Sequence, residues 1–584
     1  MKNLRFSFAF MALLATTALF AQTNLGVDYY LLGNNVKAKT YFEKEIAANP
    51  AEAYFYLGEI AFSEADFQKA GEFYNKAAAA DAKSVYPLIG LAKLQSKSDA
   101  KTAEATLNGI ARKYKSDINI ALAVGRAFLD AGMNKQAEKT IAAAKKINAK
   151  NPAIYILEGD LVYDVRKGIT EKAGEAGGKY EMSNYFDPNY ALGYVKTAQI
   201  YQSINPSLAM RKLETIIEQQ PDYLVAYGLL GKLYAQTGFY QKAIDAFKKY
   251  FEVGIYTTED IEMYARANYF SDNFEQAKEI VRKGLQNNPD HFVLNRLLMY
   301  VNAKAKLSEE GLETARKFFA LRADSGYIGL DYSMYALILD NAKRYDEAFA
   351  QYDKAINMEP DNIEIYTDAT ATARRMRNYA LAADYLKMQM NKKAALAGNA
   401  DFADDAADIS ALGYDYYSAG TTILKNAPLV EELMKKREVI NLLSAMENTN
   451  AAQLANDAEY FGKVYSLYHL QQADATFDIL IERVPDSYTG YRFKALTMHA
   501  INDNIEEGLA RPYYEKVADL IDDKGELSAA NKRVLLEAYN YLGYYYYMKN
   551  DKDNTILYWS KVLEIDPNND NAKKVIEAME NEGK

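Results

Sequence analysis

Side chains that do chemistry are scarce in this sequence. It holds three histidines, His291, His469 and His499, and no cysteine. Without cysteine there is no disulfide, thiol nucleophile, zinc–thiolate site, iron–sulfur cluster or lipid attachment to sulfur. No second histidine lies within a helical turn of any of the three, so a multi-histidine metal site and a Ser-His-Asp triad both lack material. We read the histidines as structural. Two segments imitate ligand loops. Gly174-Glu175-Ala176-Gly177-Gly178-Lys179 has the glycines and lysine of a phosphate loop. That loop also needs a Ser or Thr after the lysine and a strand before it, so that backbone N–H groups and a hydroxyl face phosphate and magnesium. Ala173 and Tyr180 flank the segment instead, which we read as a loop insertion between helices. Asp551-Lys552-Asp553 opens like a calcium loop, but Ile556 and Val562 stand where the sixth-position glycine and twelfth-position glutamate belong. It reads as a turn between helices. The adjacent carboxylates Asp404-Asp405 and Glu506-Glu507 would point to different faces of a helix and suit a solvated surface. No catalytic, cofactor-binding or metal-ligating residue is expected, and the chain is not read as an enzyme.

The composition fits an ordered chain with other work to do. Of 584 residues, 49% are hydrophobic and 25% charged, enough to bury a core. The net charge is −10, which gives no reason to expect nucleic acid or an anionic membrane as partner. Residues 1–21 read as a secretory signal peptide. Lys2 and Arg5 form a positive start, an apolar stretch runs from Phe6 to about Ala18, and Leu19-Phe20-Ala21 offers cleavage before Gln22. Losing those two cations would move the net charge from −10 to −12. No later stretch is apolar enough to span a bilayer, and no cysteine follows for a lipoprotein anchor. The expectation is an exported bacterial protein, with the periplasm the leading location and the cell surface or secretion left open.

What must position any binding residue is a repeated element. Tyr227, Leu230, Gly231 and Tyr234 lie at helical spacing, Gly238 makes a turn, and Ala243, Phe247 and Tyr250 follow at i, i+4 and i+7. That is one apolar stripe on a helix A and a facing stripe on a helix B, with small residues at Gly231 and Ala243 to let them approach. A second copy runs Tyr335, Ala336, Leu339, Tyr345, Ala348, Tyr352, Ala355, Pro360. The small residue of helix A aligns at Gly26, Gly58, Gly90, Gly125, Gly159, Ala198, Gly231, Ala265, Met299, Ala336, Thr370, Gly413, Gly462, Ala495 and Gly543. This register counts fifteen units, and four of its steps, such as Gly125 to Gly159 and Ala336 to Thr370, equal 34 residues. The units at Gly90, Gly159, Met299 and Gly413 are the degenerate ones.

The pattern resembles the tetratricopeptide repeat (TPR), a helix–turn–helix unit of 34 residues. The resemblance implies an all-α fold, a right-handed superhelical solenoid of antiparallel helix pairs whose core is continuous because neighbours cover each other's stripes. A soft boundary at the Ala/Asp-rich segment Ala394 to Asp408 divides an array over 22–393 from one over 394–567. The latter carries an inserted helix near 428–446, and 568–584 forms a capping helix and tail.

In this family helix A lines a concave groove. The register places Phe55, Glu59, Arg126, Lys232, Arg266, Tyr269, Arg374, Arg375, Lys463, Tyr544 and Tyr547 toward it. Several bases on such a face would favour acidic peptides or a carboxylate terminus, with ordinary solvated charge as the alternative. The two-carboxylate clamp of some family members is absent, since Gly228 with Lys232 and Thr367 with Ala371 stand at its positions. The 49 tyrosines suggest a sugar-stacking surface at first sight. Thirteen fall on positions the repeat buries: Tyr29, Tyr54, Tyr74, Tyr201, Tyr227, Tyr234, Tyr250, Tyr352, Tyr366, Tyr465, Tyr514, Tyr539 and Tyr546. The run Tyr544 to Tyr547 points all round its helix and must leave a ring exposed. The expected function is therefore a scaffold binding a protein or peptide partner in the cell envelope. The alternative is a glycan-binding accessory in polysaccharide export or uptake.

Overall fold

The computed structural model describes residues 25–163, 172–322, 326–398, 405–522 and 527–581, and among these there is no strand. The signal peptide read at 1–21 lies outside the described residues, as does Asp404.

Most helices A end in the same way. Nine turns between paired helices place one residue in the left-handed region: Gly33, Ala65, Gly132, Gly238, Asp272, Lys306, Lys343, Arg377 and Asn550. The N–H of the following residue reaches back to a carbonyl five residues earlier, as Asn34 does to Tyr29 and Asp66 to Ala61. This is a Schellman closure, which satisfies carbonyls the helix leaves open. The residue after the left-handed one then often caps helix B: the side chains of Asn34, Asp66, Asn378 and Asp551 each accept an N–H from its first turn. A connection of three residues leaves the helices no choice but to lie antiparallel.

Close approach within a pair comes from the small residue of helix A. A Cβ on Gly58 or on Gly90 would stand 2.5 Å from the Tyr74 ring, so this buried ring is clasped between two glycines of successive units. Gly231 meets Phe247, Gly413 meets Phe477 and Gly543 meets Trp559 in the same manner.

The described helices make fourteen such pairs, beginning with residues 25–31 and Asn35–Glu45, and a final helix Asp570–Asn581 that buries Ala572 and Met579. The sequence register counted one pair too many. Gly413 and Gly462 belong to a single pair, because Ala406–Ile423 packs against the long helix Ala458–Arg483, which serves as its helix B. Between them the inserted segment forms short helices, Ala427–Leu433, Arg437–Ser444 and Ala451–Leu454, where the sequence suggested one. Gly174 to Lys179 lies inside the helix Ala173–Phe186, not in a loop, and Ala176 and Gly177 pack there as small residues of helix B. Asp551 is the N-cap expected of a turn.

Contacts divide the chain into two compact units, Met1–Val301 and Asn302–Lys584. The soft boundary read at 394 falls within the second unit.

Candidate functional site

In the first unit the helix-A faces do not stand open. The helix over 25–31 and its partner Asn35–Glu45 lie against units nearly two hundred residues away. The Tyr223 hydroxyl donates to Asp28 at 2.8 Å, Gln199 donates to the Leu32 carbonyl at 3.2 Å, and Lys44 donates to the Gly254 carbonyl at 3.3 Å. Lys37 pairs with Asp260 at 2.8 Å, both nearly sealed from solvent. On its other side Tyr30 donates to Glu59 at 3.2 Å and to Asp130 at 3.4 Å. The first pair thus covers the face made by the helices A that follow it.

Beneath it the charges pair with one another. Lys93, fully buried, bonds Glu59 at 2.7 Å and Asp130 at 3.5 Å, and the Tyr74 hydroxyl donates to Glu59 at 2.8 Å. One unit on, Asp160 accepts from Arg126, from Lys196 at 2.7 Å and from the Tyr180 hydroxyl at 2.7 Å. Burial pushes the Asp160 carboxyl up, but Lys196 and Arg126 outweigh it and hold the group below its usual range. Asp260 is held low in the same way by Lys37 and Lys232 against its burial. Asp28 is the exception. Burial raises its carboxyl to about 6, opposed weakly by the Tyr223 hydroxyl and Lys196.

Hollows in this unit take in several of the predicted residues. One of about 320 Å³ is lined by Phe55, Glu59 and Arg126 together with Tyr30. Another, of about 380 Å³, is lined by Lys232 with Tyr29, Gln199 and Tyr250. The structure therefore brings Phe55, Glu59 and Arg126 together and sets Lys232 in a separate place, bound to Glu259 at 2.9 Å and Asp260 at 3.4 Å. Arg266 is exposed, and Tyr269 packs edge-on against Phe274, half-buried.

In the second unit Arg374 forks onto Asp415 at 2.6 to 3.1 Å, and Arg375 bonds Asp340 and, at 2.9 Å, Thr372. The two aspartates are buried while the arginines remain about half exposed. Lys463, read as a groove residue, stands instead on the helix B Ala458–Arg483, because Gly462 does not open a helix A, and it pairs with Glu459 one turn before it at the surface. Tyr544 is 41% exposed and meets Trp559 edge-on at 5.0 Å, and Tyr547 is 39% exposed. Tyr414, at the same register position as Tyr544, is 46% exposed, a ring the sequence reading did not single out. Of the thirteen tyrosines assigned to packing, nine are buried and Tyr54, Tyr201, Tyr227 and Tyr546 are half-buried.

The sequence reading also missed Asp28, Lys37, Lys93, Asp160 and Lys196. A signal existed for some of them. Glu59, Arg126, Asp160 and Lys232 all occupy the position after the small residue of helix A, and opposite charges there on successive units can meet. Among the described residues no cluster of three His, Cys, Asp or Glu side chains could hold a metal ion. No helix among them is long and apolar enough to cross a membrane. His469 is buried against Tyr416 and Tyr465, and desolvation lowers its imidazole to about 3.

A family model described as tetratricopeptide repeat matches residues 23–85, and a second with the same description matches 224–253 and 332–362. The chain is similar to the C-terminal part of a TPR repeat-containing protein from Cytophaga hutchinsonii, at 20% identity over 54% of this chain and 99% of that one, with a TM-score of 0.38. It is also similar to a tetratricopeptide repeat protein from Parabacteroides merdae, at 20% identity over 44% and 98%, TM-score 0.28. Yeast Tom70 matches at 12% identity over 90% and 96%, TM-score 0.29. No curated protein sequence matches the chain.

Proposed function

The chain is a tetratricopeptide-repeat protein, and from that premise we propose that it is a non-enzymatic scaffold holding a protein partner on the helix-A face of its second unit. The observation that carries this is the exposure of Tyr414, Tyr544 and Tyr547 at the groove register there, while the first unit covers its equivalent face with its own first helix pair. Aromatic rings with a polar tip are the commonest anchors at protein interfaces, because they bury much area and lose little rotamer freedom. The half-exposed guanidinium groups of Arg374 and Arg375, steadied by buried aspartates, would select an acidic or carboxylate-bearing stretch of the partner. The setting proposed is the bacterial cell envelope, reached through the signal peptide read at 1–21.

The test is a photo-reactive amino acid placed singly at 414, 544 and 547, with the exposed helix-B position Lys463 as the comparison off the helix-A face, crosslinked in cells. One protein captured from all three tyrosine positions supports the reading. Bait alone at all three, with a known complex captured in parallel, ends it. The signal peptide is checked separately by N-terminal sequencing of the mature chain, which should begin at Gln22.

A further inference from the structure

The hollow of about 320 Å³ in the first unit has a chemistry of its own. Its charged side chains are already paired. Glu59 is taken by Lys93, Tyr74 and Tyr30, and Arg126 by Asp160. An anion would have to share Arg126 with Asp160, and a cation would have to share Glu59 with Lys93, each at the expense of a buried pair. Its neutral polar groups are in the opposite condition. Tyr56, Tyr86 and Tyr190 line the hollow, none of their hydroxyls is hydrogen-bonded to the protein, and none of the three oxygens is sealed off. The exposed side chain of Asn119 stands on the same wall.

The rings that carry these groups are braced. Tyr56 stacks on Phe42 at 4.8 Å and meets Tyr30 edge-on at 5.9 Å, and Phe55 lies 5.6 Å from Tyr86. Burial holds the phenols of Tyr56, Tyr86 and Tyr190 above their ordinary range, so each remains a neutral O–H donor at any physiological pH. Polar groups so placed in a hollow ask for water or for a ligand with hydroxyls of its own. The volume lies at the small end of the range of ligand pockets, roughly 300–1,000 Å³.

We propose that this hollow binds a neutral, hydroxylated ring, one or two sugar residues in size, by stacking on the aromatic wall and by hydrogen bonds to Tyr56, Tyr86 and Tyr190. This is a second site, independent of the partner-binding face proposed above. The N-terminal helix contributes Tyr30 to its wall, so the ligand and the docked first pair support each other.

The experiment is isothermal titration of the mature chain with glucose, galactose, mannose, N-acetylglucosamine and cellobiose, with glucuronate as the charged probe. Tyr56→Phe and Tyr190→Phe keep the rings and remove only the hydroxyls, so the fold is preserved, and Tyr185→Phe serves as an exposed control. The expected result is saturable binding of at least one neutral sugar, weakened roughly three- to tenfold by each of the first two substitutions and unchanged by the third. Three outcomes overturn the proposal: no saturable heat from any neutral sugar, binding indifferent to both Tyr56→Phe and Tyr190→Phe, or glucuronate binding as well as the neutral sugars. None of the three bears on the crosslinking at 414, 544 and 547, so this site and the partner-binding face can fail separately.

Discussion

Ion pairs on the helix-A face live in different surroundings in the two units. In the first, Lys93, Glu59, Asp130, Asp160 and Lys196 are nearly sealed from solvent and bond chiefly to one another. In the second, Arg374, Arg375 and Arg492 hold their partners from positions 30 to 50% exposed, and Tyr414, Tyr544 and Tyr547 are uncovered. The repeat signature is the same in both. The difference is made by residues 25–45, which lie over the first unit's face and turn a would-be binding surface into core. Whether a repeat face is a site or an interior is thus decided by what packs on it, not by the repeat.

The largest effect should come from breaking a sealed pair. Lys93→Ala leaves Glu59 and Asp130 without their cation in a region closed to water, at a cost of about 3–5 kcal/mol. Arg492→Ala removes the partner of Glu537 where both are about 30% exposed, and should cost about 1 kcal/mol or less. Hydrogen exchange resolved by segment reads each unit separately. Equal losses of protection from the two substitutions would erase the contrast between the units.

Asp28 and His469 should respond to acid and base in opposite directions. Asp28 keeps its proton in the fold up to about pH 6 but loses it near 3.8 when free, so the fold binds more protons between those values. Its contribution falls as pH rises from about 4 through 6, by about 3 kcal/mol in full. His469 is neutral in the fold down to about pH 3 and charges near 6.5 when free. The contribution of His469 is therefore lost as pH falls below 6.5, about 2 kcal/mol by pH 5. Asp28→Asn should protect the first unit at pH 8 relative to the parent and leave it unchanged at pH 4. His469→Phe should protect the second unit at pH 5 more than at pH 8. The pH dependence of the difference between variant and parent is the readout, because it cancels the change in packing.

A smaller effect separates glycines that look alike in sequence. Gly58→Ala drives a methyl into the Tyr74 ring, which Gly90 already confines from the other side, and should destabilise by about 1–3 kcal/mol. Gly109→Ala, on an exposed helix position with nothing within 4 Å, should stabilise by about 0.5–1 kcal/mol. Thermal unfolding of the two variants beside the parent gives the sign directly.

The contrast between those glycines shows what the sequence could tell. Gly58 and Gly90 stand at the aligned small position and Gly109 does not, so the pair geometry was legible from spacing. So was the helix-A register that brings Arg126 opposite Asp160 one unit later. The covering of the first unit's face was not legible. Nothing in residues 25–45 departs from an ordinary repeat, and the contacts that hold it, Asp28 to Tyr223 and Lys37 to Asp260, join positions about two hundred residues apart. Local periodicity fixes neighbours along the array and is silent about how far the array curls. Gly462 misled for a related reason. A single helix B of 26 residues carries enough small and aromatic residues to imitate a helix A of its own.

The smallest expected effect on stability is the one most diagnostic of a free face. Tyr547 is 39% exposed, makes no ring contact or side-chain hydrogen bond within the protein, and sits on the last helix A. Tyr547→Ala should shift stability by less than about 0.5 kcal/mol, whereas Tyr544→Ala also loses the edge contact to Trp559, worth about 0.5–1.5 kcal/mol. If the face is a binding surface, both substitutions should lower crosslinking from position 414 several-fold although their effects on the fold differ. Loss that followed stability, strong for Tyr544→Ala and absent for Tyr547→Ala, would mean that the exposed rings serve the fold. The second unit would then differ from the first in exposure alone.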